Sequence, residues 1–510
     1  MEWKNKLSNE TPKKERVLII GAGPAGLTAG LELLRNAPER FCVTVFEESE
    51  TVGGISKTVN VNGNRMDMGG HRFFSKSQRV NAFWESLLPL QGENASEGEN
   101  EMLLRTRVSR IFYGGKFFDY PITLKPKTFQ NLGVLRTLQA GCGYLHALLF
   151  KKDETTLENF YINRFGKPLY QMFFEDYTEK LWGRHPSEIS ADWGAQRVKG
   201  VSVKEVLKNA LGGKQKSRET SLIEQFKYPK YGPGQLWATA AKKFAARGGE
   251  ICFGARVCGV QTENGRVTGL TVSKNGVQNS FAGDYVLSSM PLCDLIASFP
   301  QNTVPETVRK IAAGLPYRDF VTVGVLVKKQ DMRITGKNGA LTPDCWIYVQ
   351  ERAVQLGRLQ IFNNWSPYMV ENPKDTVFIG AEYFCREGDA NWVRTDKTWA
   401  DCALADLKTV GVLSSEAKAL GAHCERVKKA YPAYFDTYDD LPQVRAYLNE
   451  YPNLFCIGRN GQHRYNNMDH SMLTSFEAVR CILENDSDKS ALWAVNAEAQ
   501  YHELKKDGAV

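Results

Sequence analysis

Residues 17–54 read VLIIGAGPAGLTAGLELLRNAPERFCVTVFEESETVGG. An apolar run at 17–20 enters Gly21-x-Gly23-Pro24-Ala25-Gly26. Leucines at helical spacing follow (Leu27, Leu31, Leu34), and a second apolar run at 43–46 ends at Glu47. This order is strand, glycine turn, helix, strand, acid. Gly21 permits the tight turn, Gly23 lets the backbone approach a pyrophosphate, and Gly26 lets the helix lie close to the strand. Free N–H groups at the helix start attract phosphate, and Glu47 offers an acceptor to a ribose hydroxyl. The stretch is a dinucleotide-binding unit.

Two further glycine pairs narrow the cofactor. Gly53-Gly54 comes just after Glu47-Glu48, a pattern of flavoproteins that a nicotinamide dehydrogenase does not need. Gly69-Gly70-His71 ends an alternating stretch that reads as a strand, and a bare backbone there suits a flat ring. Both favour FAD over NAD.

The chain has 510 residues, enough for two or three domains. It is 42% hydrophobic and 24% charged, as expected of an ordinary globular protein. No apolar run is long enough for a membrane span, and the polar start of the chain carries no signal-peptide core, so a cytoplasmic location is expected. Eleven scattered cysteines without a CxxC pair read as inert thiols in a reducing compartment, and no metal is expected. A net charge of +8, spread rather than clustered, argues against nucleic acid and suits an anionic small substrate. Self-association is left open.

The expected architecture is α/β. A discontinuous Rossmann-like FAD-binding domain takes residues 16–90, 232–300 and 440–485, since nucleotide-domain texture returns after a long interruption. A helical domain takes 125–183. An antiparallel β-sheet domain takes 103–122, read as a hairpin turning at Gly114-Gly115, together with 184–231 and 315–435. Within the last span 396–420 reads as helical. Residues 91–101 and 212–220 read as polar loops, and 1–15 and 486–510 as tails.

The order GxGxxG, acid, GG, MGGH, then Tyr120-Pro121, Lys180-Leu181-Trp182-Gly183, and finally Gly458-Arg459-Asn460-Gly461 with Tyr465-Asn466-Asn467-Met468-Asp469-His470-Ser471 resembles the UDP-galactopyranose mutase family. It mixes eukaryotic-type and bacterial-type features over roughly residues 16–485. Arg197, fifteen residues after Trp182, resembles an arginine that grips substrate diphosphate. Tyr348, Arg358 ten residues later, and the FNNWSPY stretch containing Asn364 are similar to the eukaryotic-type pattern.

The resemblance implies a UDP-sugar substrate in a cleft between three domains, and a role in cell-surface polysaccharide biosynthesis. It implies that FAD, reduced for activity, attacks the sugar anomeric carbon through N5, with no net redox. It implies catalytic roles for His71, Arg197 and Arg358. Tyr120, Trp182, Tyr348, Asn364, Tyr431, Tyr465 and Asn467 would bind substrate. Flavin would be held by the glycine pairs, Glu47, Glu48, His71, Val257, Gly458, Arg459, Met468 and Asp469. Paired arginines suit a leaving diphosphate because their planar forks match its oxygens. Arg107 and Ser109 resemble, over three residues, a segment linked to nicotinamide binding, which would make NAD(P)H the reductant; the alternative is an ordinary strand with reduction by a separate donor.

The chain also departs from the family. Thr123 stands where a glutamine is usual, and Arg184-His185 add charge where the family is apolar. An oxidase of the amine-oxidase or protoporphyrinogen-oxidase kind shares the glycine frame. It would take an apolar or amine substrate and would not require paired arginines.

Overall fold

The computed structural model describes residues 14–91, 100–120, 122, 125–197 and 225–496, without the side chains of 195–197. Most of both expected tails, most of the 91–101 loop, the 212–220 stretch, Thr123 and the Arg197 side chain lie outside the described residues.

The nucleotide-binding layer is a five-stranded parallel sheet. Its order is Leu454–Cys456, Tyr285–Ser288, Glu15–Ile20, Phe41–Phe46, Glu250–Cys252. Strands from three distant stretches of chain therefore share one sheet. Such strands are covered on both faces, which is why they read as continuous apolar runs. The central strand pairs Val17 with Val43 on one side and with Tyr285 on the other. The helix Pro24–Asn36 begins with proline at its first turn, where the missing N–H costs nothing. It packs against the helices Pro233–Ala246 and Met468–Glu484, with Leu27, Leu31, Leu236, Trp237, Met472 and Phe476 in one buried cluster. Val257 lies in an adjoining three-stranded sheet and is buried with Leu18, Ile20 and Phe46.

A seven-stranded sheet forms the second layer. Its order is Gly421–Pro432, Tyr317–Lys328, Thr376–Cys385, Arg358–Ile361, Trp346–Val349, Ser109–Tyr113, Lys116–Asp119. All neighbours are antiparallel except Trp346–Val349 with Ser109–Tyr113. Strand alternation sorts the residues of Tyr317–Lys328 by face. Val321, Val323, Val325 and Val327 pack toward Trp399 and Leu407 of the helix Asp396–Thr409, while Phe320 joins an aromatic cluster on the other face. That aromatic face looks toward the helices Leu157–Phe165 and Asp176–Trp182.

Three boundaries differ from the sequence reading. Within 103–122 only the stretch from Ser109 to Asp119 forms the hairpin; Met102–Thr106 pairs instead with Gln225–Pro229. Residues 184–197, expected with the sheet, form the turn Pro186–Glu188 and the helix Ala191–Arg197, and Gly194 packs so closely that an added Cβ would reach 2.7 Å from Leu157 and Phe160. The helix expected over 396–420 stops at Thr409, where Gly411, at φ +70°, takes the chain out.

Candidate functional site

The glycine turn is tight for the reasons its residues imply. Gly21 has φ +96°, and a Cβ on Gly26 would stand 1.9 Å from the Gly21 carbonyl oxygen. Only glycine brings strand and helix this close. Gly23 faces the second glycine pair, with its would-be Cβ 3.8 Å from Gly54 Cα, and Gly53 donates its N–H to Ala22 O at 2.9 Å. Gly458, at φ +79°, closes on the same point, its would-be Cβ 3.1 Å from Ala25 Cβ. Ser475 Oγ donates to Ala25 O at 2.8 Å, tying in the closing helix, whose first turn buries Met468 and Asp469. Bare backbone from three chain stretches thus meets at the start of the helix Pro24–Asn36. This fits a dinucleotide pyrophosphate.

Glu47 ends its strand as expected, with its carboxylate braced. One oxygen accepts from Ala22 N–H at 2.7 Å, the other from Ser49 N–H at 2.9 Å and Oγ at 2.7 Å. Glu48 is exposed and sits 3.6 Å from Arg256.

The third glycine pair leads from this cradle to a largely buried cluster of arginine and tyrosine. Gly69, at φ +95°, is flanked by Arg358 Nη2 and His71 Nε2, 3.7 and 3.9 Å from where its Cβ would be. Arg358 binds Glu382, directly opposite it on the neighbouring strand: Nε donates at 2.7 Å and Nη2 at 2.5 Å to the same oxygen. The other oxygen accepts from Gln360 Nε2 at 2.7 Å. Burial opposes the Arg358 charge, but Glu382 and three tyrosines hold its pKa well above the usual arginine value.

Those tyrosines are Tyr431, Tyr177 and Tyr348. Tyr348 stands 4.8 Å from Tyr120 and 5.3 Å edge-on from Tyr177, and Tyr431 stacks on Tyr465 at 5.5 Å. Burial raises the Tyr177 and Tyr431 hydroxyl pKa values, although Arg358 pulls them down, so both remain hydrogen-bond donors at neutral pH. Arg459 lies over the Tyr465 ring at 4.7 Å and is fixed by Asn466 O at 2.8 Å and Ala430 O at 2.9 Å. His71 sits within the field of both arginines and hydrogen-bonds Met68 O at 3.0 Å. Burial, reinforced by the two positive charges, pushes its imidazole down to about 4, so it is neutral across the physiological range.

Other expected residues have different surroundings. Trp182 is 2% exposed and packs edge-on to Trp193 and Phe435 in the aromatic cluster. Asn364 Nδ2 donates to Thr342 O and Asp344 O, both at 2.7 Å, and so staples a loop. Asn467 caps the helix Met468–Glu484 in a reciprocal box with His470, which occupies its side-chain acceptor. Arg107 reaches Ser109 Oγ at 3.4 Å and stacks near Trp346 and Tyr120, a packing role at the aromatic edge. Arg184 pairs with Asp436 at 2.8 Å. Conversely, Tyr177, Gln360 and Glu382 were absent from the expected set. A lone acid in the apolar strand VFIGAEYF was the available signal, because a carboxylate rarely enters such a strand without a partner.

Comparison with known proteins bears on the family and the fold. A curated Klebsiella pneumoniae protein described as a UDP-galactopyranose mutase is 24% identical over 188 residues, which are 35% of this chain and 43% of that protein. The match thus spans less than half the length of that relative. The crystal structure of a reduced UDP-galactopyranose mutase superposes with a TM-score of 0.78 at 20% identity, covering 94% of this chain and 96% of the other. A protein described as a protoporphyrinogen oxidase, from Exiguobacterium sp. 255-15, gives 0.67 at 16% identity, covering 93% and 99%. At these identities the superpositions speak to the fold. The family model for flavin containing amine oxidoreductases matches residues 24–455, most of the chain. Together with the glycine cradle, that match makes this chain a member of the flavin containing amine oxidoreductase family.

Proposed function

We propose that the protein is an FAD-dependent nucleotide-sugar mutase that interconverts UDP-galactopyranose, or a related UDP-hexopyranose, and its furanose form without net redox. The observation that carries this reading is a cluster of side chains: Arg358 and Arg459 flank four tyrosines beside Gly69-Gly70-His71. Such a lining suits a diphosphate, which offers many acceptors and gains charge as it leaves. An oxidase of apolar amines could use the tyrosines but would not require the paired arginines. Reduced FAD would supply the nucleophile.

The chain's residues then have distinct tasks. Arg358 comes preset, because Glu382 and Gln360 fix its fork, and its remaining N–H groups are available to a phosphate oxygen. Tyr431 and Tyr465 donate hydroxyls beside Arg459, and Tyr348 does so beside Tyr120. Arg197 stands at the end of its helix as a further candidate phosphate ligand. Neutral His71 adds no competing positive charge and holds the Gly69 turn through Met68. A furanose product would serve cell-surface polysaccharide assembly.

UDP titrated into the flavin-loaded protein tests this cluster. Saturable binding that perturbs the flavin absorbance and is lost in Arg358→Ala supports the reading. Absence of UDP binding favours the family's amine-oxidising chemistry instead.

A further inference from the structure

Next to Tyr465, two arginines share a buried space in which, among the described residues, no carboxylate pairs with either. Arg464 is 7% exposed and lies in the turn leading to the closing helix; Arg445 is half-buried on the helix Leu441–Asn449 and rests 5.2 Å over the Trp493 indole. Arg464 Nη1 and Arg445 Nε are buried without an acceptor. Among the described residues neither guanidinium forms an ion pair or a side-chain hydrogen bond. Tyr434 and Tyr438, stacked at 4.3 Å, wall the space, and Tyr438 stands 6.2 Å from His463. Both arginines act on the Tyr438 hydroxyl, together with the exposed Asp192.

A buried, unpaired charge is destabilising, and two like charges are more so. Burial and the neighbouring Arg464 push Arg445 down to about 10, with only Tyr438 and Tyr434 opposing. Two forks with free N–H groups are the recognition chemistry of a phosphate or sulfate.

We propose that Arg445 and Arg464 together bind a small dianion of the phosphate class, at a site separate from the Arg358 cluster. Tyr434 links the two regions, because its hydroxyl accepts the Tyr465 N–H at 2.9 Å. The site needs no covalent step and no cofactor.

The test is thermal unfolding of the flavin-loaded protein in inorganic phosphate against chloride at equal ionic strength. Phosphate raises Tm with the logarithm of its concentration, as expected for a ligand bound only to the folded state. Arg464→Gln and Arg445→Gln each abolish that rise and keep UDP binding, whereas Arg358→Ala retains it. Without phosphate, Arg445→Gln melts above the parent, since it removes the repulsion. A phosphate response that survives both glutamine variants, or disappears only in Arg358→Ala, overturns the proposal. So does an Arg445→Gln protein that melts below the parent, because the charge is then already compensated within the chain.

Discussion

Arg358 and Glu382 face each other across adjacent antiparallel strands, and two guanidinium nitrogens converge on one carboxylate oxygen at 2.7 and 2.5 Å. Glu382 has no solvent exposure. This arginine is therefore oriented by the fold before any ligand arrives. Removing it strands a buried carboxylate. Arg358→Ala is expected to lose about 3–5 kcal/mol of stability in urea unfolding. Replacing both partners by methionine should recover most of that loss, because no charge then remains to desolvate. UDP binding should be lost in both variants.

Trp182 tests the difference between a core and a substrate-binding residue. It packs between Trp193 and Phe435. Trp182→Ala should cost about 3–5 kcal/mol, as for other large-to-small changes in a core. The folded fraction should bind UDP with unchanged affinity. A large affinity loss at unchanged stability would return Trp182 to the substrate.

The glycine cradle predicts a sharp intolerance. A methyl group on Gly26 would meet the Gly21 carbonyl at 1.9 Å, against backbone that cannot rotate away. Gly26→Ala should purify with little or no flavin, read as the ratio of flavin to protein absorbance.

Stability should depend on pH in a defined way. Burial holds His71 and His463 down to about 4 in the folded protein, against about 6.5 unfolded. Between those values the unfolded chain binds their protons first, so this stability is complete above pH 6.5 and is lost as pH falls through 4. Asp67 acts oppositely: burial raises it to about 7, although Tyr228 and Thr58 donate to it. Its contribution is present below pH 3.8 and is lost as pH rises through 7. Two histidines against one aspartate leave a rise of about 1.4 kcal/mol per pH unit between pH 4 and 6.5 from these groups. Asp67→Asn should roughly double that slope in urea unfolding measured across the range.

The parts of the molecule legible in the sequence were those set by local geometry. Gly21, Gly26 and Gly53 have few backbone alternatives, so their spacing announced the turn, the helix and the flavin family together. The apolar runs at 17–20 and 43–46 became neighbouring parallel strands for the same reason. The Arg358 cluster was legible only in its aromatic and basic residues. The partnership of Arg358 with Glu382 depends on a strand register 24 residues apart in the chain, and no local pattern records it. Trp182, Asn364 and Asn467 show the converse ambiguity. A buried indole, a loop-stapling amide and a helix cap use the same residue types as a ligand site, and only the packing separates them.

The most direct measurement follows the sugar. The flavin-loaded protein, reduced with dithionite under anaerobic conditions, is incubated with UDP-galactopyranose and the products are separated by chromatography. UDP-galactofuranose, or the furanose of a related UDP-hexose in a small panel, is expected to appear to equilibrium while the flavin stays reduced. No furanose from any UDP-hexose, together with steady peroxide release when the oxidised protein meets an amine or a porphyrinogen in air, would contradict the mutase reading.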